Sequence, residues 1–126
     1  MQITVNDLER AVNSGLTTAI KKSEINLEQL FIDVDIENLS SVILFLKTNE
    51  KCKFKQLIDI TAVDYPKYEK RFKVIYLFLS HENNLRIIVN VSISESTSVP
   101  SLTKIFPSAN WMEREVFDMY GISFKD

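Results

Sequence analysis

Apolar positions recur every four residues near the start of the chain. Leu8, Val12, Leu16 and Ile20, with Ala11 and Ala19 beside them, form one stripe that predicts an amphipathic helix from Asp7 to Lys22. The segment LFIDVD then alternates, with Phe31, Asp33 and Asp35 opposite Ile32, Val34 and Ile36, and predicts a short strand. Asp35 is positioned to cap a second helix, in which Leu39, Val42, Ile43 and Leu46 fall at helical spacing and carry the run to about Lys47.

From Phe54 the period changes to two. Phe54, Ile58, Ile60 and Ala62 share one parity, and DYPKYEK breaks the strand they predict. RFKVIYLFLS is apolar on both parities, as a strand covered on both faces is, whereas LRIIVNVSI puts Leu85, Ile87, Val89, Val91 and Ile93 on one face. HENN between them reads as a hairpin turn. After a serine-rich loop, Pro100 and Pro107 bracket a short helical turn. Asn110 then opens a last helix with Glu113 at capping-box spacing, and Gly121 supplies its C-terminal cap.

These elements predict a two-layer α+β fold: a mixed, mainly antiparallel sheet with helices at the N-terminus, between the first strands and at the C-terminus. A doubly wound fold needs strand–helix alternation, which stops after Phe54. No repeat or linker divides residues 1–126, so one domain is expected, with Met1 as its start.

Composition narrows the function classes. With 45% hydrophobic and 25% charged residues the chain matches an ordinary globular protein, and its net charge of -2 is spread without the basic stripe that nucleic acid requires. Apolar runs such as Val42–Leu46 and Val74–Leu79 are far shorter than the roughly 20 residues of a membrane-spanning helix. The one cysteine, Cys52, forms no internal disulfide.

Candidate chemistry is sparse. His81, the one histidine, falls in the expected turn, and four-ligand zinc or iron–sulfur sites exceed the Cys and His available. Gly15 and Gly121, the two glycines, form no phosphate loop. The serines from Ser92 to Ser101 lie outside any nucleophile pattern. Asp59 and Asp64 flank ITAV and read as a strand edge and a turn rather than an acidic pocket. No catalytic, cofactor-binding or metal residue is assigned.

The segment NWMEREVFDMYGISF remains. On a helix, Met112, Val116, Met119 and Tyr120 follow core spacing and are expected to face the sheet. Trp111, Glu115 and Asp118 form a second stripe, with Arg114 one turn before Asp118 and within reach of an ion pair. Trp and Arg anchor interfaces when desolvated, so this face favours recognition of a partner. Glu113 and Glu115 diverge by about 200° on a helix and do not converge on one ion.

The pattern Glu113-Arg114-Glu115-x-x-Asp118-x-x-Gly121, preceded by VPSLTKIFPSANW, resembles the signature region of the C subunit of NADH:quinone oxidoreductase, respiratory complex I. FKQLIDITAVDYP and RFKVIYLFLS are similar to that family too, so the resemblance runs from about Phe31 onward. Family members continue past the equivalent of Asp126 into a basic segment containing His and Pro and a longer tail. The resemblance implies a peripheral-arm subunit that holds no redox group itself, in a complex with NADH, FMN, iron–sulfur clusters and quinone on its other subunits. It implies packing against the large D subunit, which lines the quinone site, and against neighbouring subunits. The location implied is the cytoplasmic face of a bacterial inner membrane, or the matrix side in an organelle. On that reading Trp111 anchors the partner, Arg114 pairs with Asp118 or with an acid of the partner, and Glu115 accepts from a partner arginine. Asn110 and Glu113 belong to the helix start, with Glu113 mainly capping its own helix, and Gly121 turns the chain away. The nearest competing assignment is the equivalent subunit of a complex I-like membrane-bound hydrogenase. A stand-alone enzyme using Asp59, Asp64 or the Glu115–Asp118 pair is the more distant one.

Overall fold

A computed structural model describes residues 3–125. The first helix, α1 (Val5–Gly15), opens on a capping box: the Thr4 side chain accepts from the Asp7 N–H, and the Asp7 carboxylate accepts from the Thr4 N–H. It stops at Gly15, short of the predicted Lys22. The remainder of the apolar stripe turns into a strand, β1 (Ile20–Asn26), which pairs antiparallel with β2 (Gln29–Val34). The hairpin between them turns on Leu27 and Glu28, both at positive φ (52° and 62°), the conformation of a primed two-residue turn built without its usual Asn and Gly.

A 3-10 turn at Ile36–Asn38 leads into α2 (Leu39–Thr48), whose Leu39, Val42, Ile43 and Leu46 are buried. Asp35 makes no capping hydrogen bond; its carboxylate meets Lys21 at 3.3 Å instead. Next come β3 (Gln56–Asp64), β4 (Phe72–Ser80) and β5 (Leu85–Ile93). A two-residue strand β6 (Val99–Pro100), helix α3 (Ala109–Tyr120) and β7 (Phe124–Lys125) complete the described chain. The main sheet has five strands in the order β1-β2-β5-β4-β3, antiparallel throughout except for the β2–β5 pair, and β6 and β7 form a small parallel ribbon.

Register explains the core. Ile32, Val89, Tyr76 and Ile60 lie side by side across four strands, as do Leu30, Ile87, Phe78 and Leu57, and all are buried. All three helices cover this one face: buried residues of α1, α2 and α3 join the strand residues in one cluster. In β3 the register shifts between Leu57 and Asp59, so Leu57 is buried and Ile58, predicted to share the inward parity, is only half-buried. β4 lies beside the central strand β5. Its inward residues from Phe72 to Ser80 are buried, but Ile75, Leu77 and Leu79 on the other parity stay half-buried, so the strand is not covered on both faces as predicted.

Candidate docking face on the last helix

Helix α3 begins at Ala109, not after Asn110, and its N-cap Ser108 makes no side-chain capping bond. Burial along the helix differs from the predicted stripe at one position. Ala109 and Val116 are buried and Met112 and Tyr120 half-buried against the sheet, but Met119, predicted on that face, is 74% exposed. Tyr120 packs edge-on to Phe72. Gly121 caps the helix at φ 73°, in the left-handed region where a side chain is strained, and the chain turns there as expected.

Glu113 does not cap its own helix. It is buried, and its carboxylate reaches across to the segment after β6, accepting from the Leu102 N–H at 2.8 Å and the Ser101 hydroxyl at 2.7 Å. Hydrogen bonds to an ionised acceptor are stronger than neutral ones, so this contact fixes the loop to the helix. The same loop is held from behind by Lys47, whose ammonium donates to the Ile105 carbonyl at 2.6 Å and lies 4.9 Å from the Phe106 ring centre. Under the helix, Tyr76 is fully buried; burial, and secondarily the charge on Glu113, push its phenol far above the ordinary range.

Outward, α3 carries two adjacent stripes. Trp111 (65% exposed), Glu115, Asp118 and Met119 face solvent on one of them. Asn110, Glu113, Arg114 and Phe117 line a groove of about 670 Å³, together with Thr103 of the loop, Ser123, and Phe124 of β7. Among the described residues Arg114 forms no ion pair with Asp118 or any other acid, contrary to one of the two predicted pairings. Glu113 is buried while Glu115 and Asp118 are exposed, so the carboxylates are dispersed, and no group of three or more potential metal ligands comes together among the described residues. Phe117, half exposed in the groove, is a member of this face that the sequence reading omits. Its signal is the i, i+3, i+4, i+7 spacing of Asn110, Glu113, Arg114 and Phe117, which puts them on one face of the helix.

The other candidates resolve into structural partners. Asp64 receives both the Nε and Nη2 hydrogens of Arg71, at 2.7 and 2.8 Å, and Arg71 also reaches Glu95 at 3.0 Å. Asp59 accepts from the next residue's backbone N–H, and His81 bonds Gln56 at the surface. Cys52 is buried, which pushes its thiol up to about 11.

Known proteins share this architecture and much of this sequence. Residues 32–126 fit the family described as the respiratory-chain NADH dehydrogenase 30 kDa subunit. The chain is 42% identical over 123 residues to the C subunit of NADH-quinone oxidoreductase from Rhodospirillum rubrum, covering 98% of this chain and 58% of that protein. It is 52% identical over 101 residues to the corresponding C subunit from Ruegeria pomeroyi, covering 80% of this chain and 50% of the relative. The chain thus spans only about half to three-fifths of the length of these curated relatives. A chain from the structure of a membrane-bound sulfane sulfur reductase, an archaeal respiratory membrane complex, superposes with a TM-score of 0.84 over 95% of this chain and 69% of its own length, at 22% identity, a likeness of fold. The chain belongs to the respiratory-chain NADH dehydrogenase 30 kDa subunit family.

Proposed function

We propose that this chain is a non-catalytic domain of a peripheral-arm subunit of a proton-translocating NADH:quinone oxidoreductase, and that it docks through α3 onto the large subunit lining the quinone site. Electrons then pass from NADH through FMN and iron–sulfur centres held by other subunits to quinone. The observation that carries this reading is the exposure of Trp111, Phe117 and Met119 (65%, 51% and 74%) on one helix, interleaved with Arg114, Glu115 and Asp118. Exposed Trp, Phe and Met beside an arginine that forms no ion pair among the described residues match the residue types enriched at an interface centre, and Glu115 and Asp118 suit its polar rim. Trp111 anchors the contact, Arg114 meets an acid of the partner, and Glu115 and Asp118 accept from basic groups opposite. Among the described residues no helix is long and apolar enough to cross a membrane. The assembly itself, at the cytoplasmic face of the membrane, supplies attachment. The NADH-quinone oxidoreductase relatives, at 42% and 52% identity, favour this complex over a related hydrogenase.

The test is co-expression of the chain with the quinone-site subunit from the same genome, with the mass of the product read by light scattering. A one-to-one complex is expected. Trp111→Ala or Arg114→Ala should weaken it at least tenfold, about 1.4 kcal/mol, while leaving the melting temperature of the isolated chain within roughly a degree or two. Absence of a complex, or equal loss of binding and stability, would overturn the assignment.

A further inference from the structure

The groove beside the docking helix has a chemistry of its own. It is lined by the stripe of α3 next to that of Trp111, and its charged members are Glu113 and Arg114. The two oxygens of Glu113 are engaged by Ser101 and Leu102, so the acid is turned to the loop. Arg114 is exposed and forms no ion pair among the described residues. Arg114 is the cationic side chain among the lining residues. The exposed acids of the helix, Glu115 and Asp118, belong to the other stripe.

From this we infer that the groove receives an extended acidic segment of the partner, its carboxylate held in a fork by the Arg114 guanidinium. The inference rests on the docking reading and specifies the ligand of one part of that face. An arginine presents paired N–H donors in a plane that matches a carboxylate, and such an arginine next to a concave apolar wall supplies both charge and shape. Phe117, half exposed, and Phe124 supply the apolar wall. The edge of β7 favours an extended chain: its outer side has no strand neighbour among the described residues, and extended segments dock by adding a strand to such an edge.

Fluorescein-labelled peptides about a dozen residues long, tiled across the sequence of the quinone-site subunit, test the inference by anisotropy titration against the chain. Peptides carrying Asp or Glu beside aliphatic residues should bind, and replacing that acid by alanine should cost at least tenfold in affinity. Arg114→Gln and Phe117→Ser should each cost a similar factor, whereas Lys70→Ala, at an exposed position in the turn between β3 and β4, should change peptide affinity less than twofold. Circular dichroism of each variant checks that it is folded. Arg114→Glu should restore binding to the peptide whose acid has been changed to lysine. Failure of every acidic peptide, or affinity unchanged by Arg114→Gln in a folded variant, overturns the inference. If the intact partner still forms its complex when the peptides fail, docking stands and only the groove assignment falls; if peptides bind and the intact partner fails to, docking falls and the groove keeps its ligand.

Discussion

The carboxylate of Glu113, in the first turns of α3, accepts the backbone N–H of Leu102 at 2.8 Å, and both residues are buried. With the Ser101 hydroxyl, which also donates to Glu113, that contact joins the loop after β6 to α3. Removing it strands a buried N–H. Glu113→Ala should therefore lower stability by about 2–3 kcal/mol, the range for losing a charge-assisted bond and leaving its donor unmet. Glu113→Gln keeps an acceptor and should lose about half of that. Urea denaturation of both variants measures the difference; equal losses would mean that the side chain's volume, not its hydrogen bonds, holds the loop.

Tyr76 offers the opposite case. Its ring stacks on Phe78 with centres 6.5 Å apart, yet its buried hydroxyl has no hydrogen-bond partner among the described residues. An unmet buried hydroxyl destabilises, so Tyr76→Phe should raise stability by about 1 kcal/mol. A loss of that size in the same urea titration would show that the hydroxyl is bonded in solution.

The contrast between these two residues bears on what can be read from the sequence. Tyr76 is legible as a strand residue, but not as an inward one, because RFKVIYLFLS is apolar on both parities while the burial seen alternates. The fold class follows from the apolar periodicities, and so do the helix at Leu39–Thr48 and the hairpin turn before Leu85. Glu113 misleads because a capping box is a local pattern, whereas its actual donors lie in a loop that only tertiary packing brings near. β1 escapes the pattern for a related reason. An edge strand buries little, so IKKSEIN carries a weak apolar signal, and its turn at Leu27 and Glu28 lacks the residues that announce a primed turn. The outward face of α3 is legible as far as Trp111, Glu115 and Asp118; the groove is not, because much of its wall comes from residues 101–107 and 123–124.

Arg71 holds the Asp64 carboxyl below its ordinary range, first through their hydrogen bonds and then through charge. A depressed folded-state value means that the carboxylate's contribution is complete above the unfolded value of about 3.9 and is lost as pH falls through the lower folded one. Both side chains are about one-third exposed, so the effect is modest. Asp64→Asn should lower the urea midpoint at neutral pH, and the gap from the unsubstituted protein should be unchanged down to about pH 4–5 and narrow below it. A gap that stays constant into the acid range would rule out the ion pair as its origin.

The two glycines are required for different reasons, and a second substitution separates them. A Cβ on Gly15 would lie 2.4 Å from Phe45 Cζ and 2.6 Å from Cε2, so Gly15→Ala must displace a ring packed against the core. Such overpacking costs about 1–3 kcal/mol, offset in part by alanine's better helix propensity. At Gly121 a Cβ meets nothing within 4 Å, and the obstacle is the backbone at φ 73°. Gly121→Ala should cost about 1 kcal/mol through conformation alone. Phe45→Leu shortens the ring that Gly15→Ala strikes, so the double variant should recover most of that loss. The same Phe45→Leu change should leave the cost of Gly121→Ala untouched, while Gly121→Asn should recover part of it because asparagine tolerates the left-handed region. Thermal denaturation of the paired variants decides: coupling at Gly15 and additivity at Gly121 follow if the first cost is steric and the second torsional, and additivity at both would remove the ring as the cause.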